Sequence, residues 1–177
     1  MALCVLSYPN LERRDFEWIQ SLRAKHEKLA YALVKPHITL VFPTDAMAED
    51  EYLNHVRGVI SHTPPVSFAI RCAVMRHSPA NDRWNVFLVP DEGYSSIVKL
   101  HDRLYTGPLA GELRLDVPFI PHITVASRRA AEICQDLVAE INEEGICIEG
   151  SLNTVDIVSY QSHGLTTMEK IDLFAGR

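Results

Sequence analysis

The residues best suited to chemistry stand in one tetrapeptide that occurs twice, Pro36-His37-Ile38-Thr39 and Pro121-His122-Ile123-Thr124. Both lie in apolar runs of β type, from Tyr31 to Phe42 and from Val117 to Ala126. Side chains alternate across an extended strand, so each His shares a face with the Thr two positions on, while Ile38 and Ile123 point into packed core. Each motif therefore presents one imidazole and one hydroxyl. Imidazole titrates near neutral pH, so a pair can take a proton at one point and deliver one at another. With eight His and eight Thr in 177 residues, chance alone gives about 0.4 His-x-Thr triplets. Two copies of the whole tetrapeptide, at matching places in a repeated pattern, are far less expected. The plain alternative is two pairs of polar residues on half-exposed strand faces.

The flanking pattern predicts two similar halves, each running strand, helix, motif strand, helix, strand. In the first half, Ala2 to Tyr8 reads as a strand closed by Pro9-Asn10. A helix follows with Leu11, Trp18, Leu22 and Leu29 on one stripe, and Arg13, Arg14, Glu17, Lys25 and Glu27 among its polar positions. The motif strand covers about 32–42 and stops at Pro43. Thr44 or Asp45 caps a second helix with the stripe Tyr52, Val56 and Val59 or Ile60, ended by Thr63-Pro64-Pro65. Val66 to Arg76 is a strand, and the polar connection from His77 to Arg83 is the boundary between halves. In the second half, a strand from Trp84 to Val89 leads to a helix from Tyr94 to Tyr105 with Ile97, Leu100 and Leu104 inward. The second motif strand covers Val117 to Ala126. Ser127 caps a helix carrying Ile133, Leu137 and Ile141, and strands at about 146–160 and 166–174 finish the chain.

The motif histidines lie 85 residues apart, close to half the chain. Such a repeat implies pseudo-twofold symmetry, which lets both motif strands face one cleft. Alternating helices and strands imply an α/β or α+β fold with helices packed outside the sheets. No G-x-G-x-x-G or Walker-type loop supports a doubly wound parallel sheet. One domain over residues 1–177 is expected, with lobes built around the halves 1–80 and 81–177.

Paired His-x-Thr signatures, one in each half of a chain this size, resemble the 2H phosphoesterase superfamily. That group includes the cyclic nucleotide phosphodiesterases and the proteins called 2′,5′ RNA ligases. The resemblance implies an α+β fold of two pseudo-twofold lobes, with two largely antiparallel sheets facing a central cleft. It assigns His37 and His122 as general acid and base, and Thr39 and Thr124 as donors to the phosphoryl oxygens. A cyclic phosphodiester, such as a nucleoside 2′,3′-cyclic phosphate or an RNA 2′,3′-cyclic end, is opened by a water deprotonated on one side of phosphorus. The leaving oxygen is protonated on the other side, and two imidazoles meet both needs without a metal or other cofactor. The competing readings are 2′,5′ ligation or 2′,5′-phosphodiester cleavage, a nucleotide-binding module without chemistry, and a structural domain with coincidental motifs.

Around these four residues the pattern is thinner. Arg128 has the parity of His122 and Thr124, a candidate phosphate or ribose contact; a solvated Arg beside Arg129 is the equal alternative. Lys35 shares the parity of His37, though Pro36 stands between them. Trp84 and Tyr160 are candidates for stacking on a base, Tyr160 the better because it ends a strand; core or rim packing is the competing role. Of the other histidines, His26, His55 and His101 read as solvated helix positions, and His62, His77 and His163 as loop surface. None has a metal-ligand spacing.

Composition bounds the partners. The 47% hydrophobic and 23% charged residues suffice for a real core. A formal charge of −6 argues against gripping long nucleic acid, but not against a small anion or a short RNA end held by local donors. The N-terminal stretch has no signal-peptide pattern and no run is long enough to span a membrane. Cys4, Cys72, Cys134 and Cys147 are scattered among apolar neighbours and read as buried thiols in a reducing compartment, cytoplasm or nucleus. A monomer is expected.

Overall fold

The computed structural model describes residues 1–79, 81–161 and 164–174. In chain order its elements are β1 (Ala2–Ser7), a two-residue β2 (Asn10–Leu11), α1 (Arg13–His26), a short α2 (Lys28–Tyr31), β3 (Ile38–Thr44) and α3 (Glu49–Ile60). Then come β4 (Val66–Ser78), β5 (Arg83–Glu92), α4 (Tyr94–Leu104), a 3₁₀ turn (Gly107–Glu112) and β6 (Ile123–Arg128). The chain continues through α5 (Ala131–Glu143), β7 (Ile148–Leu152), β8 (Thr154–Gln161) and β9 (Gly164–Asp172). Predicted His163 lies outside the described residues, as does the side chain of Leu29.

The strands form two sheets, ordered β3-β1-β8-β9 and β2-β7-β4-β5-β6, and every recorded pairing is antiparallel. β1 is an inner strand covered on both faces, which is why its run Leu3-Cys4-Val5-Leu6 is apolar without alternation. The helices cover the outer faces. Ile19 of α1 and Cys134, Leu137 and Ile141 of α5 join one apolar core with Val86, Leu88, Ile123 and Val125; Tyr52, Val56 and Ile60 of α3 and Ile97, Leu100 and Leu104 of α4 join it with Val5, Ile38, Leu40 and Ile157. A smaller cluster of Cys4, Leu6 and Val158, flanked by Tyr8, Val34 and Leu165, lies on the other face of the first sheet.

Each sheet draws strands from both halves of the chain. The predicted boundary at 77–83 is the β4–β5 hairpin, inside one sheet. The chain passes between sheets at Asn153, a single residue between β7 and β8, which is the irregularity expected within 146–160. Both motif strands begin later than their apolar runs suggest. Before β3, Lys28–Tyr31 is helical, and the Ala30 carbonyl accepts from the N–H groups of Leu33 and Val34, so extension starts only beyond this turn. Residues 113–122 form no strand, and β6 starts at Ile123.

Several local expectations shift. α3 and α5 start after Ala48 and Ala130, with no side-chain cap. Thr44 Oγ1 instead donates to Glu112, 2.7 Å, and Ser127 Oγ accepts from Arg83 Nε, 2.9 Å. In α5 the inward residue is Cys134 rather than Ile133, which is 46% exposed. Cys4 and Cys134 are buried, Cys72 is half-buried, and Cys147 is exposed because Ile146 and Ile148 beside it take the inward positions; all four thiols are free. Among the described residues no helix is long and apolar enough to cross a membrane.

Candidate active site

The two motifs are built alike. His37 and His122 each stand one residue before an edge strand, with Thr39 and Thr124 as the second residues of β3 and β6. Burial alternates through both: Pro36, Ile38 and Leu40 are buried while His37 and Thr39 are half open, and Pro121, Ile123 and Val125 are buried while His122 and Thr124 are half open. Each imidazole donates its Nδ1–H to the backbone carbonyl two residues earlier, His37 to Lys35 at 2.8 Å and His122 to Ile120 at 2.6 Å. A carbonyl only accepts, so both rings carry the proton on Nδ1 and keep an unprotonated Nε2. Neither Nε2, nor either Thr hydroxyl, has a protein hydrogen-bond partner among the described residues.

Both rings resist protonation. Burial pushes His122 down to about 4; the Ile120 carbonyl opposes this, and the charges of His37 and Arg76 add to it. Phe87 stacks on the His122 ring with centroids 3.6 Å apart. Burial also lowers His37, opposed by the Lys35 carbonyl and reinforced by Arg23. Tyr8 meets the His37 ring edge-on at 6.2 Å. Charge on one imidazole discourages charge on the other, as expected of groups that share a cleft.

Arg128 does not join them. β6 pairs Thr124 with Phe87 but Ala126 with Val86, so Val125 is an extra residue, a bulge that inverts the alternation beyond it. Ser127 thus takes the face of Thr124, and Arg128 falls on the opposite one, where its guanidinium donates to the Lys25 carbonyl at the end of α1. Trp84, paired with Arg128, is on that same far face, packed against the core and tilted over His77. Tyr160 is on the face of Thr39, because Thr39 pairs with Leu6, Leu6 with Asp156 and Ala2 with Tyr160. It stands four residues further along, about 13 Å, and is 55% exposed. Lys35 is exposed, and its carbonyl accepts from the His37 ring.

A family model described as the 2′-5′ RNA ligase superfamily matches residues 11–164, the span carrying both motifs. The chain belongs to this superfamily of 2H phosphoesterases. Similar proteins include one of Geobacillus kaustophilus named "Putative phosphoesterase GK0864", 23% identical over 98% of this chain and 96% of its own. Another, from Bacillus licheniformis and similarly named, is 27% identical over 77% of each chain. Two solved structures share the fold: TT0787 of Thermus thermophilus, TM-score 0.62 at 19% identity, and E. coli LigT in complex with 3′-AMP, TM-score 0.61 at 18% identity, each covering 98% of both chains. The α+β architecture of two antiparallel sheets with outer helices is thus the 2H phosphoesterase fold.

In this 2H phosphoesterase, several residues at the site escaped the sequence pattern. His122 and Thr124 line a cavity of about 640 Å³ together with Arg76, Asn85, Phe87 and Arg114. His101, expected to be solvated, is 2% exposed. It donates Nδ1–H to the Leu40 carbonyl at 2.8 Å and stacks on Phe119 at 3.6 Å, joining the strand of one motif to the approach of the other. His55 also has a partner, the Leu104 carbonyl at 2.8 Å, and His26 is half-buried. Arg23 is 2% exposed and donates Nη2 to the carbonyls of Ala30, 3.3 Å, and Val34, 2.7 Å, pinning the segment that leads to His37. Glu27, named among the polar positions of the helix, is buried beside it, and its carboxyl is pushed up by burial. Asp156, on the face of Thr39, is likewise buried and pushed up, with one carboxylate oxygen unpartnered among the described residues.

Proposed function

We propose that the chain is a phosphodiesterase that opens a small cyclic phosphodiester, such as a nucleoside 2′,3′-cyclic phosphate or an RNA 2′,3′-cyclic end, and needs no metal to do so. The observation that carries this reading is the matched pair of Nδ1-protonated imidazoles. Each is fixed by its own backbone, and its Nε2 and the Thr hydroxyl two residues on are without a protein partner among the described residues. One Nε2 takes a proton from water as its oxygen attacks phosphorus; the other, protonated, gives its proton to the departing ribose oxygen. Thr39 and Thr124 donate to the non-bridging oxygens as charge gathers there, and holding the phosphate between fixed groups lowers the entropic barrier. Burial holds both rings neutral before substrate binds, so one Nε2 is ready to act as the base. The anionic phosphate raises the pKa of both rings on binding, which lets the other imidazole carry its proton near neutral pH.

Family membership supports phosphoester chemistry, and a protein of the same fold is solved with 3′-AMP. The family's name also favours a second reading, formation or cleavage of 2′,5′ linkages, which by microscopic reversibility uses the same four side chains. Turnover of the four 2′,3′-cyclic nucleotides in EDTA, with His37→Ala and His122→Ala alongside, tests the first reading. Each variant is expected to lose about a hundredfold or more, the scale of one acid–base group. Activity unchanged in both variants refutes it. Turnover of 2′,5′-linked dinucleotides but of no cyclic nucleotide transfers the site to the second reading.

A further inference from the structure

The cavity beside His122 and Thr124 is far larger than a phosphoryl group requires and lies in the size range of small-molecule sites. One wall is the cleft face of β4 and β5. There Arg76 pairs across the strands with Asn85, and Phe87, two residues from Asn85, is the residue stacked on His122. The other wall is the segment carrying Arg114 and Asp116. Arg114 closes on Asp116 through two bonds of 2.6 and 2.8 Å. Arg76 makes no ion pair among the described residues; its one recorded polar contact is a long one, 3.5 Å to the Pro118 carbonyl. Arg114, with Arg76 adding to it, pulls the Asp116 carboxyl down to about 2. Two fixed cations and one carboxylate therefore face one space, a local surplus of one positive charge in a chain of net charge −6.

That surplus needs a reason, since a chain of this charge repels anions at long range and must capture them locally. The guanidinium is a planar fork that fits phosphate oxygens in pairs. Arg76 stands two strands and two residues from Thr124, about 12 Å by sheet spacings, a gap a nucleoside spans once the arginine side chain reaches back. Building on the cyclic phosphodiesterase reading, we propose that this cavity is a second-anion subsite. Arg76 and Arg114 hold a phosphate other than the reacting one, Asn85 and Phe42 contact the nucleoside between them, and the preferred substrates are nucleotides or RNA ends carrying that extra phosphate. Asp116 holds Arg114 until the anion arrives and competes with it.

Equilibrium binding of 3′-AMP and of adenosine 3′,5′-bisphosphate tests this without requiring turnover. The bisphosphate should bind about tenfold tighter or more to the native chain, the scale of one charge-assisted pair. The same ratio should hold in Arg13→Gln, an equal change of charge at a side chain 90% exposed on α1. In Arg76→Gln the ratio should fall to within about twofold of one, in Arg114→Gln it should narrow, and in Asp116→Asn it should widen. Arg114→Gln and Asp116→Asn carry the test if Arg76→Gln does not fold. Equal affinity for both probes in the native chain, or a preference surviving both arginine changes, overturns the proposal. A dinucleotide 3′-phosphate, whose extra phosphate is internucleotide, distinguishes an RNA end from a 5′-phosphorylated mononucleotide by which gains more. Failure to hydrolyse any cyclic nucleotide would refute the catalytic reading and leave this binding preference standing.

Discussion

In the folded chain His122 stays unprotonated down to about pH 4, whereas an unfolded imidazole takes its proton near 6.5. The cause lies in its burial against Phe87, stacked at 3.6 Å, and in the companion charges of His37 and Arg76. Because the folded pKa is the lower one, the unfolded chain binds more protons below about pH 6.5. The stability held by neutral His122 is therefore complete above that value and drains as pH falls toward about 4. Between about pH 7.5 and about pH 5 the shift corresponds to about 1–2 kcal/mol, the lower end allowing for water at the ring's open cleft edge. Urea unfolding of the native chain and of His122→Gln at both pH values measures it, since Gln does not titrate. The native chain should lose about 1–2 kcal/mol more than the variant over this interval. Ring titration by NMR should place the His122 midpoint near 4, and adding inorganic phosphate should move it up. A midpoint near 6.5, or parallel pH dependence of the two chains, refutes the account of how this imidazole is held.

Two further changes probe the groups that set the motifs in place. His101→Phe keeps a ring for the stack on Phe119 but orphans the buried Leu40 carbonyl; thermal unfolding should report a cost of about 1–2 kcal/mol, with faster amide exchange through residues 39–41. Arg23→Met strips the carbonyls of Ala30 and Val34 of their donor and removes one of the three cations, with Arg83 and Arg128, that act on the buried Glu27 carboxyl. Urea unfolding should show a loss of about 3–5 kcal/mol, part of which Glu27→Gln restores in the double variant.

What the sequence made legible was whatever depends on spacing along one strand or helix. Alternation about each His-x-Thr and the stripes of α3 and α4 rest on local period, the two-sheet antiparallel class comes from the resemblance that the paired motifs carry, and the fold follows them. Arg128 was misread because a bulge at Val125 inverts parity, and nothing in Val125-Ala126-Ser127-Arg128 marks an extra residue until the partner strand is in view. His101 looked solvated and Arg23 drew no reading because their partners lie 61, 7 and 11 residues away. Arg76 was passed over for a similar reason: it sits outside the motifs, and only the pairing of β4 with β5, and of β5 with β6, brings it to the face that carries Thr124.

The way β1 lies in its sheet also bears on how the protein is made. Ala2 pairs with Tyr160 and Leu6 with Asp156, so the strand beneath Thr39 meets one of its two neighbours only after some 150 further residues have been added. The β4–β5 hairpin closes locally and can form early, but the first sheet is a contact of high sequence separation and closes late. During synthesis the apolar run Leu3-Cys4-Val5-Leu6 must wait with an open edge, exposed to partners other than the right one. Variants that slow translation or folding between Ser78 and Thr154 should therefore lower the yield of soluble protein more than its stability once folded.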